Sequence, residues 1–289
     1  MNGGALMQWL RTAARHPLPL MIAGIVVMIA LTISIGTIRH MLGISDTSPP
    51  LVQLGVSILT AALFLGAYAL FVHQVEHGSP RDLAFQGAGR QLLAGLCLGV
   101  GAMTLTIGAI AVLGGYSITG RNPATVLVPV AAMAILSGVT EEVIIRGIIF
   151  RHLEQWLGSW IALALSAALF GALHLGNPNA TALAAIAIAL EAGILLAALY
   201  MLTRRLWSVI GLHAGWNFTQ GGIFGVAVSG HEEKGLFISH MSGTDLLTGG
   251  PFGAEASVPA MTICTALGLA CLWRAWKHGQ IKPVNLSGK

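Results

Sequence analysis

A carboxylate to take a proton from water, imidazoles to hold what the water attacks and a carboxamide to donate hydrogen bonds all occur in this chain, inside runs that are otherwise apolar. In TEEVIIR, Glu142 and Arg146 are four residues apart and share one helical face, the spacing of an intrahelical ion pair. Glu141 is turned away from that face by about 100° and has no local partner. In GLHAGWNF, His213 and Asn217 are also four apart and point the same way, and in LFGALHLG, Phe170 and His174 share a face. Singly, each has a plain structural reading: an ion pair bracing a helix end, or a hydrogen-bonded core histidine. Together, two imidazoles, a carboxylate and a carboxamide on three neighbouring helices are what a hydrolytic site needs. Histidines there hold a metal or an oxyanion, and a glutamate acts as base for water.

The elements that must position these groups are membrane spans. The 289 residues are 55% hydrophobic and only 9% charged, and the mean hydropathy is +0.78. A soluble domain carries about 25% charged residues, and disorder needs low hydrophobicity, so both classes are excluded. The formal charge of +4 does not mark a nucleic-acid binder, because the basic residues are strewn singly between apolar runs. The 37 glycines suit helices that pack closely in lipid. Cys97, Cys264 and Cys271 lie in apolar runs without a metal or redox spacing and are expected to be core residues.

Runs long enough to cross a bilayer fall at about 18–38, 51–73, 91–114, 124–148, 158–175, 181–202, 207–228 and 256–276. The expected fold is therefore all-α: a single polytopic membrane domain over 1–289, with eight transmembrane helices. Placing the N-terminus in the cytoplasm puts Arg11, Arg15, Arg81, Arg90, Arg151, Arg204, Arg205, Arg274, Lys277, Lys282 and Lys289 inside, and only Arg39, Arg121 and Lys234 outside. The positive-inside rule then sets both termini in the cytoplasm. The connection from Ser229 to Glu255 falls outside. It reads as a solvated loop or, given its length, as a lid or partner-binding segment.

EEVIIR (141–146), FGALH (170–174) and HAGWN (213–217) resemble the E-E-x-x-x-R, F-x-x-x-H and H-x-x-x-N motifs of the CPBP intramembrane proteases. That family contains type II CAAX prenyl endopeptidases and bacterial bacteriocin-processing and self-immunity proteins. The resemblance covers roughly 124–230, a catalytic core of four spans. It implies an intramembrane endopeptidase in which Glu141 activates water for attack on a peptide carbonyl. His174, His213 and Asn217 complete the site as oxyanion donors or as metal ligands, and Glu142 and Arg146 brace it. Zinc on His174, His213 and Glu141 and a metal-free site both stay open. The resemblance also implies a bacterial cytoplasmic membrane and a peptide or protein substrate that arrives from the bilayer or from the cytoplasmic face, with no nucleic-acid partner.

Counting along the spans sets Glu141 about 26 Å from Ala124 and His213 about 9 Å from Trp207, both near the inner face. His174 lies about 24 Å from Gly158, nearer the outer face, so a tilt, a break in the fifth helix or a midplane site is needed to bring it in. Glu191 stands where an apolar residue is expected and reads as a second functional carboxylate, a cavity liner or a neutral acid. Two other functions compete: a catalytically silent immunity or secretion-accessory protein on the same scaffold, and a proton-coupled transporter. The transporter lacks the internal repeat such proteins show.

Overall fold

The computed structural model describes residues 16–45 and 47–284. Its regular structure is helical apart from one two-stranded sheet. Helix α1 (Pro17–Met41) starts at a proline, and its Leu18 amide donates to the His16 cap; α2 (Pro50–Gln74) and α3 (Ala88–Val112) follow. Strand β1 (Tyr116–Arg121) leads into α4 (Leu127–Glu142), which passes through a π-helical stretch (Val143–Phe150) into α5 (Arg151–Leu173). Helix α6 (Ala182–Ile188) runs through a second π stretch (Ala189–Gly193) into α7 (Ile194–Thr203). Helix α8 (Leu206–Asn217) ends in a third (Phe218–Ile223). Strand β2 (Phe237–Met241), the short α9 (Asp245–Thr248) and α10 (Val258–Lys277) complete the chain.

Among the described residues six helical stretches are long and apolar enough to cross a membrane, against the eight expected. The fourth and fifth expected spans lie in one 53-residue stretch, Ala124–Gly176, because residues 143–157 continue the helix. That stretch turns only at Gly158, whose φ of 77° and ψ of 169° are non-helical and where a Cβ would lie 2.8 Å from the Pro283 backbone. The seventh, α8, is diluted by its own polar residues. The sheet is a further departure from the expected fold: β1 pairs antiparallel with β2, distant in sequence, with a bulge between Ile118 and Gly120. Cys264 is buried and Cys271 half-buried, but Cys97 is exposed on α3, so the core expectation fails there.

Two facing glycine pairs fix the depth of α8. A Cβ at Gly95 or Gly99 of α3 would lie 2.0 or 2.1 Å from the carbonyls of Ser208 or Leu212, and one at Gly211 of α8 would lie 2.2 Å from the Leu92 carbonyl. Backbone contact of this kind is how helices without a hydrophobic driving force associate in lipid. On another side of α8, Ala214 packs against Gly138 of α4, where a Cβ would be 3.1 Å away. With glycines gripping α3 and alanine against α4, His213 of α8 is held against the end of α4.

The bundle has two unlike ends. At one, Arg151 grips Glu76 through two hydrogen bonds of 2.7 and 2.6 Å, Arg204 and Lys282 reach Glu154, and Arg205 donates to the Arg81 carbonyl. Burial alone would raise the Glu76 carboxyl, but Arg151 and His152 hold it down at about 2. At the other end the two-stranded sheet and a cap over 224–257 are tied down by Asn122 to the Gly235 carbonyl, Asn177 to the Ser229 carbonyl and Asn179 to the Gly230 carbonyl.

Candidate active site

Glu142, at the last turn of α4, is wholly buried and accepts two hydrogen bonds on one oxygen: Arg146 Nη1 at 2.8 Å and His213 Nδ1 at 2.8 Å. Arg146, also wholly buried, donates through Nη2 to the Ala192 and Gly193 carbonyls at 3.3 Å, and its guanidinium lies 4.5 Å from the centre of the Phe170 ring. One arginine thus joins α4, α5 and the π turn before α7 behind the imidazole. Charge-assisted bonds of this length are the strong ones, and they fix which way the ring faces.

Because Glu142 occupies Nδ1, His213 turns Nε2 toward Glu141, whose Oε2 is 4.0 Å away. The Glu141 side chain is 37% exposed where that of Glu142 is 0%. The pair foreseen between Glu142 and Arg146 is therefore present, and Glu141 finds its neighbour on another helix. His174 Nδ1 lies 2.7 Å from the Phe170 carbonyl; a carbonyl only accepts, so Nδ1 carries the proton and Nε2 is left available. Asn217 Nδ2 donates to Ser137 Oγ at 3.0 Å.

Glu141, His174, His213 and Asn217 line one cavity of about 660 Å³ with Ser137, Asn177 and Ser229. Its mouth carries Arg39, Gln53, His231 and Glu232, at the end of the bundle that holds the sheet. A side recess of about 170 Å³ beside Glu141 and His174 is walled by Ile144, Ile145, Phe170 and Leu173.

The expected mismatch in the depth of His174 disappears. Counted from the turn at Gly158, Glu141 and His174 are 17 and 16 residues along, about 26 and 24 Å, hence level. Leu206 sits beside Gly147, eleven residues above that turn or about 16 Å, so seven further residues bring His213 to about 26 Å as well. The fourth span, expected to end at 148, continues as helix through the π stretch to the turn at Gly158, ten residues farther.

The three π stretches adjoin the site: one follows Glu142, one contains Glu191 and one follows Asn217. Such turns re-aim side chains and are frequent at functional sites. Glu191, 1% exposed, and Glu255, also 1% exposed, line a small recess of about 30 Å³ behind His213 and Asn217. Both Glu191 oxygens lack a hydrogen-bond partner among the described residues. Glu255 accepts from the Ser229 amide, and burial pushes its carboxyl up to about 7 against the pull of Ser229 and Gln220. The sequence reading missed Ser137 and Glu255. A lone acid among the small residues of GAEAS was the one available signal for Glu255.

Among the described residues no three His, Cys, Asp or Glu groups come together as metal ligands, although His174 and His213 both engage Nδ1 and keep Nε2 for the cavity. A three-ligand site of the usual catalytic kind would need a different arrangement of Glu141, His174 and His213.

Residues 123–219 match the family described as Type II CAAX prenyl endopeptidase Rce1-like, in agreement with the CPBP resemblance. The match covers about a third of the chain and contains Glu141, Glu142, Arg146, His174, His213 and Asn217. No curated protein and no solved structure matches. Residues 123–219 are thus similar to a family of intramembrane proteases, and the long apolar helices suit a protein integral to a membrane.

Proposed function

We propose that the chain is an intramembrane endopeptidase of the cytoplasmic membrane, with its catalytic core in 124–230 and a metal-free, glutamate-driven mechanism. The observation that carries this reading is the clamp of His213 by Glu142 and Arg146, which holds Nε2 toward Glu141 in the cavity.

Glu141 takes a proton from water while the water oxygen bonds to the scissile carbonyl carbon. His174 Nε2, an acceptor when Nδ1 donates to Phe170, holds the same water. Negative charge passes from Glu141 to the carbonyl oxygen. Donors there are His213 Nε2–H, with the ring as imidazolium, and the Asn217 N–H not used by Ser137. An imidazolium also brings the cluster of two carboxylates and one guanidinium to neutrality, which a low-dielectric site favours. Collapse of the tetrahedral species breaks the C–N bond, and Glu141 returns its proton to the leaving amine.

The test is a comparison of new peptide N-termini in membranes containing the wild-type chain and membranes containing Glu141→Gln. Peptides that appear only with the wild type support the reading, whereas identical termini in both overturn it.

A further inference from the structure

The mouth of the cavity and the charge of the bundle lie at opposite ends. The walls near the mouth come from the last turns of α1 (Arg39), the first turns of α2 (Gln53, Val56) and α4 (Pro129), and the cap, where His231 and Glu232 are exposed. Toward the other end the cavity is closed. Arg146, Ile148, Phe150 and Tyr200 beneath Glu142 are 0 to 3% exposed. Beyond that floor stand Arg81, Arg151, Arg204, Arg205 and Lys282: Arg151 is tied to Glu76, Arg204 and Lys282 to Glu154, and Arg205 to the Arg81 carbonyl. Arg90, Arg274 and Lys277 sit on the helix ends at the same level. The sheet end holds only Arg39, Arg121 and Lys234 among its described Lys and Arg residues, beside Glu232, Glu233 and Asp245.

Short basic connections stay on the cytoplasmic side of a membrane. Applied to this bundle, the rule sets the arginine-rich floor in the cytoplasm and turns the cavity mouth to the opposite side. We infer that the site is reached from the exoplasmic face, so that its substrate is an extracytoplasmic peptide segment of an exported or membrane-anchored protein and not a cytosolic chain. This rests on the protease reading for what happens in the cavity, but the direction of access follows from charge and shape alone. It replaces the expectation of cytoplasmic access. The apolar recess of Ile144, Ile145, Phe170 and Leu173 then lies where a membrane-embedded or bulky apolar part of such a segment can rest beside the scissile bond.

Cysteine accessibility tests the direction without requiring catalysis. In a background with Cys97, Cys264 and Cys271 replaced by alanine, Met133→Cys and Val56→Cys report the cavity wall, Lys234→Cys the cap and Lys277→Cys the arginine-rich end. A charged, membrane-impermeant methanethiosulfonate is applied to bacterial cells with a permeabilised outer membrane and to everted inner-membrane vesicles. The expected result is modification of Met133→Cys, Val56→Cys and Lys234→Cys from the cell exterior, at least ten-fold faster than in everted vesicles, with Lys277→Cys showing the reverse. Cavity thiols that react only in everted vesicles, or from neither side, overturn the inference. A catalytically silent chain would label in the same way, so failure of the protease reading, seen with Glu141→Gln, is a separate result.

Discussion

Glu142 Oε1 lies 2.8 Å from His213 Nδ1 and 2.8 Å from Arg146 Nη1, so one buried carboxylate oxygen holds both the imidazole of α8 and the guanidinium that reaches the π turn before α7. The adjacent Glu141 faces the cavity from the same helix end. In the proposed mechanism two consecutive glutamates thus divide the work: one positions, the other reacts.

Replacing Glu142 therefore damages structure as well as rate. Glu142→Gln leaves Arg146 charged and buried without its counter-ion, a change that costs about 3–5 kcal/mol when a buried pair is broken. The expected outcome is a lower Tm in detergent together with a fall in kcat, because His213 loses the acceptor that fixes its ring. A Tm equal to that of the wild type would contradict the clamp.

The glycine contact between α3 and α8 should be specific to position. Gly99→Ala places a Cβ 2.1 Å from the Leu212 carbonyl, and overpacking of this kind costs about 1–3 kcal/mol. Gly101→Ala, with nothing within 4 Å, should be neutral. Thermal unfolding of the two variants, read beside their activity, checks whether α8 is held at its depth by this pair.

Much of the site was legible because a polar group inside an apolar run is costly and therefore conspicuous. Glu141, Glu142, Arg146, His174, His213 and Asn217 all stood out for that reason, and all six lie in or against one cavity. The start of the fifth span at Gly158 was legible, but not that residues 149–157, which carry Arg151, His152, Glu154 and Gln155, stay helical up to that turn. Ser137 and Glu255 were missed for a different reason. A serine or an acid becomes part of a site only through what a distant segment brings against it, here Asn217 for the first and Ser229 for the second.

Asn217→Ala should lower kcat by about 10²–10³ with little change in KM, as expected for a donor that acts on charge developing in the transition state. Ser137→Ala, which removes only the acceptor that orients Asn217, should give a smaller loss in the same direction. A rise in KM at constant kcat in either variant would assign these residues to substrate binding.

Docking of the cap should weaken as pH rises. The Glu255 carboxyl is held at about 7, above its ordinary 4.5, so the docked cap binds more protons than the released one between those values. Its stability is fully present below about 4.5 and declines as pH rises toward 7. Ser229, Gln220, Glu191 and His213 are the groups that act on this carboxyl. Hydrogen exchange of the Ser229 and Gly230 amides should accelerate across this window beyond the intrinsic pH effect, and Glu255→Gln should abolish the excess.

Prolonged chelation should leave hydrolysis unchanged, and the active preparation should hold far less than one metal ion per chain. Activity lost on chelation and restored by zinc would reinstate the ligand role of His174 and His213.

The most direct measurement is the single-turnover rate of purified wild-type and Glu141→Gln protein on a peptide identified from the membrane comparison, with both proteins first shown to have the same Tm. Removal of a general base predicts a loss of about 10²–10⁴ in rate for the folded variant. A Glu141→Gln protein that cleaves the peptide at the wild-type rate would contradict the mechanism outright.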